Sequence, residues 1–173
     1  MQYHLSQYLY LALATFIFVG ALTPIMRKLA LKIGAVDAPN IARKVQVEPV
    51  PYLGGIAIVI GVLVATYTTV FIKDKDIGLA STVLIPALIM GTMGLIDDLR
   101  GLPPWPRLIT QTIVGVAVAA LLIATDTIGT PSQIFIVDAI ITVLWIVGIC
   151  NSINFFDNLD GGAAGTVVVI SIF

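Results

Sequence analysis

Asn151–Gly165, NSINFFDNLDGGAAG, gathers Asn151, Asn154, Asp157, Asn158 and Asp160 between an apolar run and a second apolar segment. Read as a helix, Asn151, Asn154, Asp157 and Asp160 recur at i, i+3, so neighbouring members of the set share a face. Amides and carboxylates on one face at a membrane boundary can bind a cation or the polar head of a substrate. A second acidic set, Asp97–Asp98, stands where another apolar run stops. The negative end of the helix dipole disfavours acids there. Two carboxylates ~5 Å apart also repel by about 3 kcal/mol at an effective dielectric near 20. A divalent cation, or an acid and base acting on a phosphate, removes that penalty. Arg43, Lys44 and Arg107 are the counter-charges for an anionic substrate, whereas Arg27, Lys28 and Lys32 read as membrane anchoring.

These residues must be positioned by membrane-spanning helices. The chain has 173 residues, 58% hydrophobic and 11% charged, against about 25% charged in soluble domains. Its apolar residues come in long blocks, the signature of a polytopic all-α membrane protein. Spans are expected at Tyr8–Met26, ended by Arg27–Lys28 and bent near Pro24; at Gly54–Ile72; at Leu79–Ile96; at Leu108–Thr125; and at Ile134–Cys150. A partial sixth begins at Gly161–Phe173, its small residues suited to close helix packing. The segment from Lys32 to about Leu53 reads as a long polar connection, closed by Pro49, Pro51, Gly54 and Gly55 in a rigid turn.

Other classes of function are disfavoured. No basic patch interleaved with aromatics points to nucleic acid. Cys150 is the single cysteine, which excludes an internal disulfide and a cysteine metal cluster. The first apolar block is too long for a cleaved signal peptide, and its positive charges follow it. Trp105, between Pro104 and Pro106, reads as an interfacial anchor, Trp145 as packing, and Asp138 as a residue that snorkels or finds a helix partner.

The connections after spans one, three and five hold Arg27, Lys28, Lys32, Arg43, Lys44, Arg100 and Arg107, and the opposite side holds Lys73 and Lys75. The positive-inside rule then puts the N-terminus outside and the Asp97–Asp98, Arg43–Lys44 and Asn151–Asp160 segments in the cytoplasm. Carboxylates at one face argue against a cation transporter, which places them near the bilayer centre at broken helices. His4, the only histidine, falls outside and is no base for a cytoplasmic site.

Three motifs, RKVQVEPVPYLGGIAI (Arg43–Ile58), GLIDDLRGLPPWPRLITQ (Gly94–Gln111) and NSINFFDNLDGGAAG, resemble in order and loop position those of the polyprenyl-phosphate N-acetylhexosamine-1-phosphate transferases, glycosyltransferase family 4. Pro-Val-Pro before the glycine pair is more similar to the N-acetylglucosamine-1-phosphate branch than to the muramoyl-pentapeptide branch, which typically has Thr-Pro-Thr. The resemblance implies transfer of a sugar-1-phosphate from a UDP-sugar to undecaprenyl phosphate, releasing UMP. Mg2+ is the implied cofactor, with Mn2+ as its substitute. The implied setting is the cytoplasmic face of the bacterial plasma membrane, at the start of cell-envelope polysaccharide synthesis, for example of lipopolysaccharide or teichoic acid. Membrane lipid is a further partner, and a homodimer is left open.

By position, Asp97 and Asp98 are the implied acidic pair near metal and lipid phosphate, either one able to take the phosphate proton. Asp157 is implied with them as a metal ligand and Asp160 as a further catalytic acid. Asn151 and Asn154 serve the nucleotide-sugar end, and Arg43, Lys44 and Arg107 steady phosphates. Departures from the family pattern are Gln46 for His, Arg107 for Lys, Asn158 for Gly and Gly162 for Leu; Arg107 keeps charge but changes geometry. The resemblance reads the chain as one integral membrane domain, the N-terminal half of a ten-helix pattern. The later loop with the family's principal metal-binding Asp, and a His-rich loop after it, are not in the sequence. The expectation is that the chain alone lacks activity or needs that half supplied, the alternative being an inactive membrane chain that binds prenyl phosphate or partner helices.

Overall fold

The computed structural model describes residues 4–37, 49–73, 75–125, 131–156 and 161–172. Six helices follow one another: α1 (Leu5–Ile33), α2 (Gly54–Ile72), α3 (Ile77–Arg100), α4 (Pro104–Ala124), α5 (Phe135–Phe156) and α6 (Gly162–Ile172). The first five are long and apolar enough to cross a membrane, at about 1.5 Å of rise per residue against a hydrocarbon core of roughly 30 Å. Their outward faces carry Leu, Ile, Val and Phe, which suits lipid contact. Trp145, expected to pack, is instead 69% exposed.

The helices run further than hydropathy alone predicts, because charge does not end a helix. Lys and Arg are good helix formers and favour its C-terminal end. So α1 passes through Pro24, Arg27 and Lys28 and stops where Gly34 turns left-handed at φ 73°. Likewise α3 keeps Asp97 and Asp98 in its last turn and stops at Gly101, φ 60°, whose N–H donates to the Asp97 carbonyl at 2.7 Å. Pro104-Trp105-Pro106 opens α4 rather than forming a loop, since the first helical N–H groups have no partner to lose. α5 continues past Cys150 to take in Asn151 and Asn154.

The chain divides into two compact units, Met1–Pro103 and Pro104–Phe173. In the first, α1 packs on α2 and α2 on α3. A Cβ on Gly61 would collide with Val19 Cγ2, so α1 and α2 approach as closely as glycine permits. Tyr67 Oη and Ser81 Oγ, 3.0 Å apart, link α2 to α3. The polar connection contains a short antiparallel pair, β1 (Val36–Asp37) and β2 (Val50–Pro51), with Val36 opposite Pro51 and Asp37 opposite Val50. Beneath it Ala30, Ala35 and Leu53 form a buried cluster against Met26, Ile56 and Leu95. In the second unit α4 packs antiparallel on α5, and α6 follows α5.

Candidate active site

In the first unit a cavity of about 350 Å³ lies between α2 and α3. Ile56, Val59, Leu88 and Leu95 wall it, Gly55, Gly91 and Gly94 open it, and Tyr52 and Asp98 give it a polar end. Asp98 lines this cavity and Asp97 does not. Consecutive helical residues point in different directions, so within α3 only one of the pair lines this cavity.

Tyr52 shares this lining with Asp98, and its phenol donates to Asp37 Oδ1 at 2.9 Å. Burial, that hydrogen bond, and the negative charges of Asp37 and Asp98 push the phenol up to about 12, because each disfavours phenolate. Tyr52 thus donates its one O–H to Asp37 and feels the charge of Asp98. Sequence reasoning assigned neither Tyr52 nor Asp37 a role. They come together only because β1 pairs with β2, which apolar periodicity does not announce.

In the second unit Arg107 Nη1 donates to Asn154 Oδ1 at 3.4 Å, from the first turn of α4 to the last turn of α5. One turn further along α4, Gln111 Oε1 accepts from Asn151 Nδ2 at 2.7 Å. Three of the expected substrate residues, Arg107, Asn151 and Asn154, are thereby gathered on one α4–α5 face. Gln111 was missed, although a polar residue four after Arg107 in an apolar run was a readable signal. Arg43, Lys44, Asp157 and Asp160 lie outside the described residues.

Asp138 corrects its expectation. At 6% exposure it does not snorkel, and among the described residues it accepts the Ser132 N–H at 3.1 Å, in the turn that leads into its own helix, rather than a donor from another helix. Asp138 Oδ2 is buried with no hydrogen-bond partner among the described residues.

Mg2+ takes hard oxygen donors, commonly one or two carboxylates with substrate phosphates and water completing its shell. No three ligating side chains cluster among the described residues. The adjacent carboxylates of Asp97 and Asp98 meet the smaller requirement, so the donor chemistry fits a shared rather than a caged ion.

Several long apolar helices define a multi-pass membrane protein, with an acid-lined apolar cavity in one unit and a guanidinium–amide contact in the other. Residues 79–173 match the family described as glycosyl transferase family 4, and the chain belongs to it. It is similar to a probable undecaprenyl-phosphate N-acetylglucosaminyl 1-phosphate transferase of Bacillus subtilis, 33% identical over 86% of this chain and 42% of that protein. It is 32% identical to a decaprenyl-phosphate N-acetylglucosaminephosphotransferase of Mycolicibacterium smegmatis, over 86% of this chain and 40% of the relative. A phospho-N-acetylmuramoyl-pentapeptide-transferase of Streptococcus mutans matches at 26% identity over 69% of this chain and 40% of that protein. The chain spans about two fifths of the length of these curated relatives. No solved structure matches it.

Proposed function

We propose that the chain serves transfer of N-acetylglucosamine-1-phosphate from UDP-N-acetylglucosamine to undecaprenyl phosphate at the cytoplasmic face of a bacterial plasma membrane. A lipid-phosphate oxygen attacks the β-phosphorus, the bond from that phosphorus to the bridging oxygen breaks, and UMP leaves. The observation that carries this reading is the α2–α3 cavity, apolar along its walls and acidic at the end where Asp98 stands. That polarity gradient suits an amphiphile with a phosphate head. Asp98 takes the lipid-phosphate proton, and Arg107 and Asn154 hold phosphate and sugar oxygens. Asp97, Asp98 and Asp157 are the carboxylates offered to Mg2+, which when bound would lower the repulsion between two phosphorylated molecules. Arg43 and Lys44 add positive charge, and Asp160 adds a polar group on the nucleotide-sugar side. The names of the relatives with the N-acetylglucosamine branch support the sugar.

The test is UMP release in lipid with UDP-N-acetylglucosamine, Mg2+ and undecaprenyl phosphate, from the chain alone and from the chain joined to the part of a curated relative that it does not span. Release should require all three and fall when Mg2+ is chelated. Arg107→Ala should raise the KM for the UDP-sugar about tenfold or more, the scale of a lost charge-assisted hydrogen bond. Binding of undecaprenyl phosphate without UMP release by the joined chain would overturn the catalytic part of the reading, and release by the joined chain only would fit a chain that needs the further half.

A further inference from the structure

We infer that Gln111 and Asn151 form a positioning pair, holding Arg107 against Asn154 rather than touching the nucleotide-sugar themselves; this rests on the transferase reading above. Gln111 is 8% exposed in the α4–α5 interface. A carboxamide buried there among apolar side chains is costly unless bonded, so its partner fixes where it can sit. That partner is Asn151, whose Nδ2 donates to Gln111 Oε1 at 2.7 Å and to the Val147 carbonyl of its own helix at 2.8 Å. The Val147 carbonyl only accepts, so it sets which way round the Asn151 amide lies. Both Asn151 amide hydrogens are therefore used inside the protein. The residue expected to bind substrate has spent one donor on the neighbouring helix and one on its own.

The pairing sets a register. Along α4, Arg107, Gln111 and Gly115 stand one turn apart. Along α5 they meet Asn154, Asn151 and then Val143 with Ile146. A Cβ built on Gly115 lies 3.5 Å from Val143 Cγ1, so the two helices are already in contact there. A slip of one turn, about 5.4 Å, would strip Gln111 and Asn151 of each other and carry Arg107 away from Asn154. The amide pair thus acts on substrate only through Arg107 and Asn154.

The experiment measures Mg2+-dependent binding of UDP-N-acetylglucosamine, and separately of undecaprenyl phosphate, to the chain in nanodiscs. Leucine suits a membrane helix interface, so Gln111→Leu and Asn151→Leu keep the helices inserted. Each should weaken UDP-sugar binding about tenfold, the scale of a lost supporting contact, and the double variant should be no weaker than either single one. Gln111→Glu, which keeps an acceptor for Asn151, should recover most of the affinity. Undecaprenyl-phosphate binding should not change in any variant, which a general folding defect would not allow. Unchanged UDP-sugar affinity in both single variants, additive losses in the double, or equal loss of both ligands overturns the positioning role. If the unaltered chain binds no UDP-sugar, the transferase reading fails first and this role with it.

Discussion

Tyr52 Oη lies 2.9 Å from Asp37 Oδ1, tying the turn that leads into α2 to the strand after α1. One hydrogen bond therefore links the two ends of the polar connection, beside the cavity that Asp98 lines. The Tyr52 N–H adds a second tie, donating to the Ala35 carbonyl at 3.1 Å.

The phenol has a pH signature. Its folded value is raised from 10.0 to about 12, so the protonated form is the one the fold favours. The stabilisation is complete below the unfolded value and is lost as pH rises from 10 toward 12. Ultraviolet titration should show one tyrosine ionising near the top of this range, and Tyr52→Phe should delete that step. At neutral pH the same change should cost about 1 kcal/mol, the worth of one hydrogen bond, read from thermal unfolding in detergent.

The two adjacent acids should behave differently. Asp98→Asn is expected to lower UMP release at least a hundredfold, the usual scale for a lost proton-transfer group, with membrane insertion intact. Asp97→Asn, which does not touch the cavity lining, should cost less. Equal losses, or none, would show that the direction in which α3 presents these residues is irrelevant to turnover.

Two glycines separate packing from access. Gly61→Leu forces a side chain into Val19 and should destabilise by about 1–3 kcal/mol, as overpacked cores do. Gly91 has open space where its Cβ would lie and lines the cavity. Gly91→Leu should therefore leave the melting temperature in place or raise it, since leucine is the better helix former, while raising the KM for undecaprenyl phosphate.

Asp138 is a structural acid. Asp138→Asn keeps an oxygen that can receive the Ser132 N–H, so stability should hold. Asp138→Ala loses the acceptor at the helix start and should cost about 1 kcal/mol. Thermal unfolding of the pair distinguishes a capping role from a requirement for charge.

Much of the fold was legible because hydrophobic length is a property of contiguous residues. The α2 bounds, Gly54–Ile72, follow from hydropathy and the glycine pair, and the centres of the other spans from the same rule. The ends were not. The reading stopped α1 at Arg27 and α3 before Asp97, whereas a backbone ends at a left-handed glycine or begins at a proline whatever charges lie nearby. The candidate site was legible as a set of residue types, with Arg107, Asn151 and Asn154 all gathered on one helix pair.

The sequence by itself determined that this chain is a bundle of apolar helices carrying the motifs of its family, since both follow from residues close together along the chain. Only the tertiary structure decided that Asp98 and not Asp97 meets the cavity, that Tyr52 joins Asp37, and that Gln111 occupies the amide of Asn151. Those outcomes depend on which face of one helix meets which face of another. That is fixed by packing and hydrogen bonding between residues far apart in sequence, which no local pattern encodes.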